Sequence, residues 1–85
     1  MAEADLPSIT IEYCFECGDT MRAVHETEKL LFEFEERIKQ IVLVPSDDGA
    51  FEVSVGDRLV FSRKRLGRNA DTDELVQKVG AALAG

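Results

Sequence analysis

The sequence predicts an α/β fold: a two-layer domain of order β-α-β-β-β-α, with a four-stranded mixed sheet and helices on one face. Three features carry this expectation. An alternating apolar run ends at residue 13, a long run of helical period leads into a compact apolar segment, and a second alternating segment is joined to a short apolar one by Gly-Asp.

The first strand is Ser8 to Tyr13, Ser-Ile-Thr-Ile-Glu-Tyr, with Ile9, Ile11 and Tyr13 on one side and Thr10 and Glu12 on the other. That alternation marks a strand buried on one face. Met21, Val24, Leu31, Phe34 and Ile38 then recur at helical spacing, with Glu26, Glu28, Glu33, Glu36 and Lys39 expected to face outward, predicting an amphipathic helix from about Gly18 to about Lys39. Ile41-Val42-Leu43-Val44, closed by Pro45, reads as a strand parallel to the first, because it follows a crossover helix.

Ser46-Asp47-Asp48-Gly49 is a turn cluster. Phe51 to Val55 and Arg58 to Ser62, joined by Gly56-Asp57, form a hairpin. Asp71-Thr72-Asp73-Glu74 opens the last helix with capping-box spacing, and Leu75, Val76, Val79, Ala82 and Leu83 form its apolar stripe. Gly80 within that stripe costs about 1 kcal/mol against alanine. The polar alternate positions of the first and third strands imply that only one sheet face is covered.

Eighty-five residues suffice for one small domain, taken as residues 1–85 with 1–7 disordered. Ten basic and seventeen acidic residues give a net charge of −7, which disfavours nucleic acid and anionic membrane surfaces as partners. Only four of the ten basic residues are lysine, a bias compatible with a high-salt interior. Met1 to Pro7 lack the basic start and apolar stretch of a secretory signal, and no run reaches bilayer-spanning length, so the expected location is the cytoplasm. A monomer is expected, although Val42, Val44 and Val60 extend an apolar strip on the half-polar sheet face.

Cys14 and Cys17 are the only two cysteines, placed three apart where the first strand gives way to the helix. In a reducing compartment such a pair points to catalysis or metal binding rather than a structural staple. Zinc needs about two further ligands, and the sole His25 sits among acidic helix residues, so no metal is expected. A disulfide across so short a loop stabilises little. Redox exchange is the reading that remains: a thiolate attacks, and a second thiol close by resolves the mixed disulfide.

The strand ending in Cys-x-x-Cys, the helix, the strand, the hairpin and the last helix together resemble the thioredoxin fold without its middle helix. More closely, Ile11-Glu12-Tyr13-Cys14-Phe15-Glu16-Cys17, Gly49-Ala50-Phe51-Glu52-Val53, and Ser62-Arg63-Lys64-Arg65 followed by Asp71-Thr72 resemble the Rdx family of selenoprotein W-related proteins. The resemblance implies thiol-disulfide chemistry with glutathione or protein thiols as partners and no bound cofactor. In selenoprotein members the second motif position is selenocysteine; Cys17 stands there, so this is an all-thiol form. Thioredoxins place a cis-proline before the antiparallel strand, where this chain has Gly49-Ala50, so the resemblance does not carry general disulfide reductase activity over.

Two arguments select different attacking thiols. In the usual thioredoxin arrangement the first cysteine lies at a helix N-terminus, which favours Cys14 slightly, whereas the selenocysteine position of relatives favours Cys17. Glu12, Glu16 and Asp19 put negative charge where a thiolate must form. Arg63, Lys64 and Arg65, with Arg68 beyond, are the counterweight. If the hairpin's second strand runs parallel to the first, they emerge on the cysteines' edge of the sheet, and with the N-terminus of the last helix they are expected to contact the carboxylates of glutathione or an acidic client. Phe15 is either an exposed client contact or a core residue, and His25 is a solvated helix residue. The rival reading is a non-catalytic, redox-sensing interaction module.

Overall fold

The computed structural model describes residues 6–85. Its elements are β1 (Ser8–Cys14), α1 (Thr20–Phe34), a 3-10 turn (Glu35–Arg37), β2 (Gln40–Ser46), β3 (Phe51–Val55), β4 (Arg58–Ser62), α2 (Arg63–Leu66) and α3 (Thr72–Ala84). The sheet order is β2-β1-β3-β4. Because β1 is parallel to β2, and β3 is antiparallel to both β1 and β4, β4 runs parallel to β1. Of the stretch 1–7, expected to be disordered, residues 1–5 lie outside the described residues, while the Pro7 carbonyl accepts the Lys39 amide at 2.8 Å.

Ile9, Ile11 and Tyr13 point from β1 into the core, and α1 and α3 lie side by side against that face of the sheet. Leu30 of α1 and Leu75 and Val79 of α3 are fully buried there. Burying each such side chain contributes about 1.5–3 kcal/mol before conformational entropy is subtracted. On the opposite face, Thr10 and Glu12 of β1 stand across from Ser54 and Glu52 of β3 and are only half-buried. The one-sided covering expected from alternation is therefore present. β2 is an edge strand and continues through Pro45 to Ser46, which proline tolerates only at an edge.

Three expectations need correction. The first helix begins at Thr20, after Gly18 at φ +80°, and ends at Phe34 rather than near Lys39. Beyond it the 3-10 turn swings the chain into extended Ile38, at φ −132° and ψ 157°, which buries its side chain and feeds β2. The buried face of α1 is also different: Ala23, Glu26, Leu30 and Phe34 face inward, whereas Met21, Val24 and Leu31 are exposed. Residues 21, 24, 28 and 31 keep the same helical period as 23, 26, 30 and 34, so periodicity alone admits either face. A small alanine and a buried glutamate disguised the correct one. Glu26, expected to face outward, accepts a bond from the Thr72 hydroxyl at 3.2 Å between the two helices.

The third correction concerns β4. The pairing slips between Val53 and Ser54, so that Val53 faces Phe61 while Ser54 faces Leu59. One extra residue on β4 lets Val60 pack against the core, and Leu59 takes its place on the open face. Gly80 has a packing reason: a Cβ there would lie 3.3 Å from Cζ of Phe34, so its absence lets α3 approach α1.

Asp71 and Glu74 form the capping box of α3, and the Asp71 amide donates to Glu74 Oε1 at 3.4 Å. Arg68 makes a two-pronged bond to the same carboxylate at 2.8 and 2.7 Å, and Lys78 approaches to 3.1 Å. These partners, Arg68 foremost, lower the Glu74 pKa from 4.5 to about 2. The unfolded chain takes up that proton near pH 4.5 and the folded one only near pH 2, so the stabilisation is complete above pH 4.5 and drains away as pH falls toward 2. Thermal melts as a function of pH should therefore show wild type losing its advantage over Glu74→Gln within that window, with a constant difference above it.

Candidate redox site

Cys14 closes β1, opposite Ser46 of β2, and the chain turns sharply before α1. Three backbone bonds shape the turn: the Phe15 amide to the Ser46 carbonyl at 3.0 Å, the Gly18 amide to the Phe15 carbonyl at 3.3 Å, and the Asp19 amide to the Cys14 carbonyl at 3.3 Å. The left-handed backbone at Gly18 is one that a side chain would strain. This geometry sets the two cysteine Cα atoms 5.3 Å apart, and Cys14 and Cys17 are joined as a disulfide.

The two sulfur-bearing residues differ in access. Cys14 is 1 % exposed, while Phe15, Glu16, Cys17 and Gly18 are all exposed. The thioredoxin-style expectation, with the first cysteine at a helix start and the second more buried, is thus reversed in burial. It fails for the dipole as well. Thr20 is the first helical residue and Asp19 its cap, so Cys14 is a strand residue and Cys17 lies two positions before the cap.

Asp19 is 8 % exposed and its side chain makes no cap bond to α1. Its carboxylate instead receives Arg63 Nη2 at 2.6 Å, with Arg22 Nε at 3.7 Å. Arg63 spends its other donors nearby: Nε on the Gly49 carbonyl at 3.1 Å, Nη2 on the Ala50 carbonyl at 3.3 Å, and Nη1 on Asn69 Oδ1 at 2.7 Å. Its guanidinium also lies 5.6 Å from the centre of the Phe51 ring. The parallel course of β4 brings this arginine to the cysteines' edge of the sheet, where one planar cation ties together the motif turn, the entry to β3 and the loop after α2.

The basic run does not continue the strand. Ser62 caps the short α2, accepting the Arg65 amide at 3.2 Å, while its hydroxyl donates to Glu52 Oε1 at 2.5 Å. Gly67 ends the helix at φ 72°. Lys64 reaches Asp48 at 3.4 Å on an exposed surface, and Arg68 is held by Glu74. Among the described residues, only the Arg65 side chain of this cluster has neither a hydrogen bond nor an ion pair. The start of α3 is filled by the protein's own acids, Glu74 on the Asp71 amide and Glu26 on Thr72. Phe15 is 54 % exposed, which removes the core alternative, and His25 is exposed on α1.

The Rdx family profile matches residues 8–81. The chain belongs to the Rdx family. A selenoprotein W-related protein from Vibrio cholerae shares its structure with a TM-score of 0.87 at 28 % identity, covering 93 % of this chain and 99 % of the other. A protein from Bordetella parapertussis gives 0.86 at 27 % identity, covering 91 % and 98 %. No curated protein matches the chain. The four-stranded sheet and its helices are the thioredoxin-like fold of the selenoprotein W-related neighbours, and the family together with the Cys14–Cys17 disulfide supports a redox function. No helix among the described residues is long and apolar enough to cross a membrane.

Removing Arg63 leaves the nearly buried Asp19 carboxylate with only the longer contact to Arg22 Nε at 3.7 Å. Arg63→Met should destabilise the protein by about 3 kcal/mol, and adding Asp19→Asn should recover part of that loss. Denaturant unfolding of wild type, both single variants and the double variant measures the coupling.

Proposed function

We propose that this Rdx protein is a thiol-disulfide oxidoreductase in which Cys17 exchanges with the client and Cys14 resolves. The observation that carries the reading is the contrast between exposed Cys17 and 1 %-exposed Cys14. A client thiolate needs a line of approach to the sulfur it attacks, and only Cys17 offers one. In the oxidised protein a client thiolate attacks Cys17 Sγ, forming a client–Cys17 disulfide and expelling Cys14 as a thiolate. In the reverse direction the Cys17 thiolate attacks a client disulfide and releases one client thiolate. Cys14 then attacks Cys17 Sγ, closes the intramolecular disulfide and frees the second client thiol. Atoms and electrons balance with no bound cofactor.

Glutathione is the co-substrate in this reading. Lys64 and Arg65 supply exposed cations for its carboxylates, and Arg63 acts through Asp19 rather than on the ligand, since its donors are already bonded.

Cys14→Ser should accumulate a mixed disulfide with glutathione at Cys17, detected by intact mass after reaction with oxidised glutathione. Cys17→Ser should trap far less at Cys14. Equal trapping would overturn the assignment of roles; trapping by neither variant, with no reversible oxidation of wild type, would overturn the redox reading; and reversible oxidation of wild type without trapping would favour the redox-sensing interaction module. In stopped-flow assays, Lys64→Ser with Arg65→Ser should slow reaction with oxidised glutathione several-fold while leaving a small neutral disulfide unaffected. An equal slowing of both would remove the carboxylate contact.

A further inference from the structure

The helix that follows the motif carries two apolar faces, and the fold uses one. Opposite the buried Ala23 and Leu30, α1 presents Met21 at 73 %, Val24 at 45 %, Leu31 at 39 % and Phe32 at 79 % exposure. At 3.6 residues per turn these four side chains lie within an arc of about 100°, and from Met21 to Phe32 the stripe runs about 17 Å, three turns of helix. An amphipathic surface helix ordinarily turns polar residues to solvent, so an apolar stripe on its outer side marks an interaction surface.

The charge around the stripe says what fits it. Glu28 sits in the middle of the arc, beside a shallow cleft of about 210 Å³ lined by His25, Glu28, Lys29 and Phe32. Glu35 and Glu36 stand at its far end, next to a second cleft against Phe32. Among the described residues none of Glu28, Glu35 and Glu36 has an ion-pair partner, whereas Glu33 is taken by Lys29 at 3.8 Å. A second copy is a poor occupant. A two-fold antiparallel pairing centred on the stripe brings the two Glu28 residues within about one helical turn of each other on the shared face, between chains that each carry −7. The N-terminal residues add Glu3 and Asp5, of the same sign, and an anionic membrane is repelled.

We infer that the outward face of α1 docks an amphipathic helix of another protein, about three turns long, whose apolar side covers Met21, Val24, Leu31 and Phe32. A lysine or arginine within that apolar side meets Glu28, and further cations meet Glu35 and Glu36. Phe32 is the anchor, being the largest and most exposed apolar side chain of the stripe. Nothing in this docking requires the redox chemistry.

The test uses the whole protein and two labelled helical peptides of three to four turns, one with a leucine face flanked and punctuated by lysine, the other its leucine–glutamate counterpart. In fluorescence anisotropy the lysine peptide should bind wild type and the glutamate peptide should not. Phe32→Glu is the deciding variant, because it removes the anchor while adding a negative charge. It should weaken the lysine peptide about tenfold or more, the loss typical of an aromatic anchor that is buried on binding. Glu28→Gln should weaken it several-fold, and Arg65→Ser, away from the stripe, should leave it unchanged. Circular dichroism confirms that the variants keep the fold. Absence of binding overturns the inference, as does unchanged or tighter binding to Phe32→Glu, which would mean mere adsorption to an acidic surface. A wild-type dimer in sedimentation that Phe32→Glu dissociates would hand the face to a second copy and equally overturn it.

Discussion

The ion pair between Arg63 and Asp19 is the constraint on which the rest of the site depends. Asp19 is where the motif turn meets α1, and its amide holds the Cys14 carbonyl while its carboxylate holds Arg63. Arg63 in turn fixes the carbonyls of Gly49 and Ala50, at the entry to the strand that pairs with β1. Three chain segments far apart in sequence are thereby locked by one planar side chain, a task for which a lysine has neither the fork nor the donors. With side-chain exposures of 18 % and 11 %, the pair is dry enough for its geometry to matter and wet enough at its rim to limit the desolvation cost.

That constraint also alters the electrostatics of the motif. From sequence, Asp19 counts with Glu12 and Glu16 as a charge opposing a thiolate. In the fold it is spoken for by Arg63 and approached by Arg22, so the acid nearest the helix start is the neutralised one. Glu16 remains exposed between the cysteines, where solvent screens it. The carbonyls at the position where thioredoxins present a cis-proline to clients are bonded to Arg63.

Much of this was legible in the sequence, and where it was not the reasons are physical. The strands were readable because each has one buried face, and a period of two leaves no second solution for β1 or β3. The hairpin followed from Gly56-Asp57, and the capping box from Asp71 and Glu74. The orientation of α1 was not readable, because two faces share one period and the buried one contains Ala23 and Glu26. The bulge that turns Val60 inward leaves no local mark. The Arg63–Asp19 pair spans 44 residues, and nothing local to either residue announces it. The sole sequence-level hint was a basic run placed where a parallel strand would end.

The reversed burial of the two cysteines follows from where the helix begins. Had α1 started at the motif, its first turn would have covered the second cysteine and presented the first to solvent beside free amides. Gly18 instead adds a left-handed residue before the Asp19 cap, which lengthens the turn and swings Cys17 outward while Cys14 stays in the sheet's last rung. Neither cysteine lies within α1, whose first turn, starting at Thr20, is where the dipole acts most strongly. Access, rather than amide stabilisation, is then what distinguishes the two thiols in the fold. It falls to Cys17, the position that selenocysteine occupies in the selenium-containing relatives.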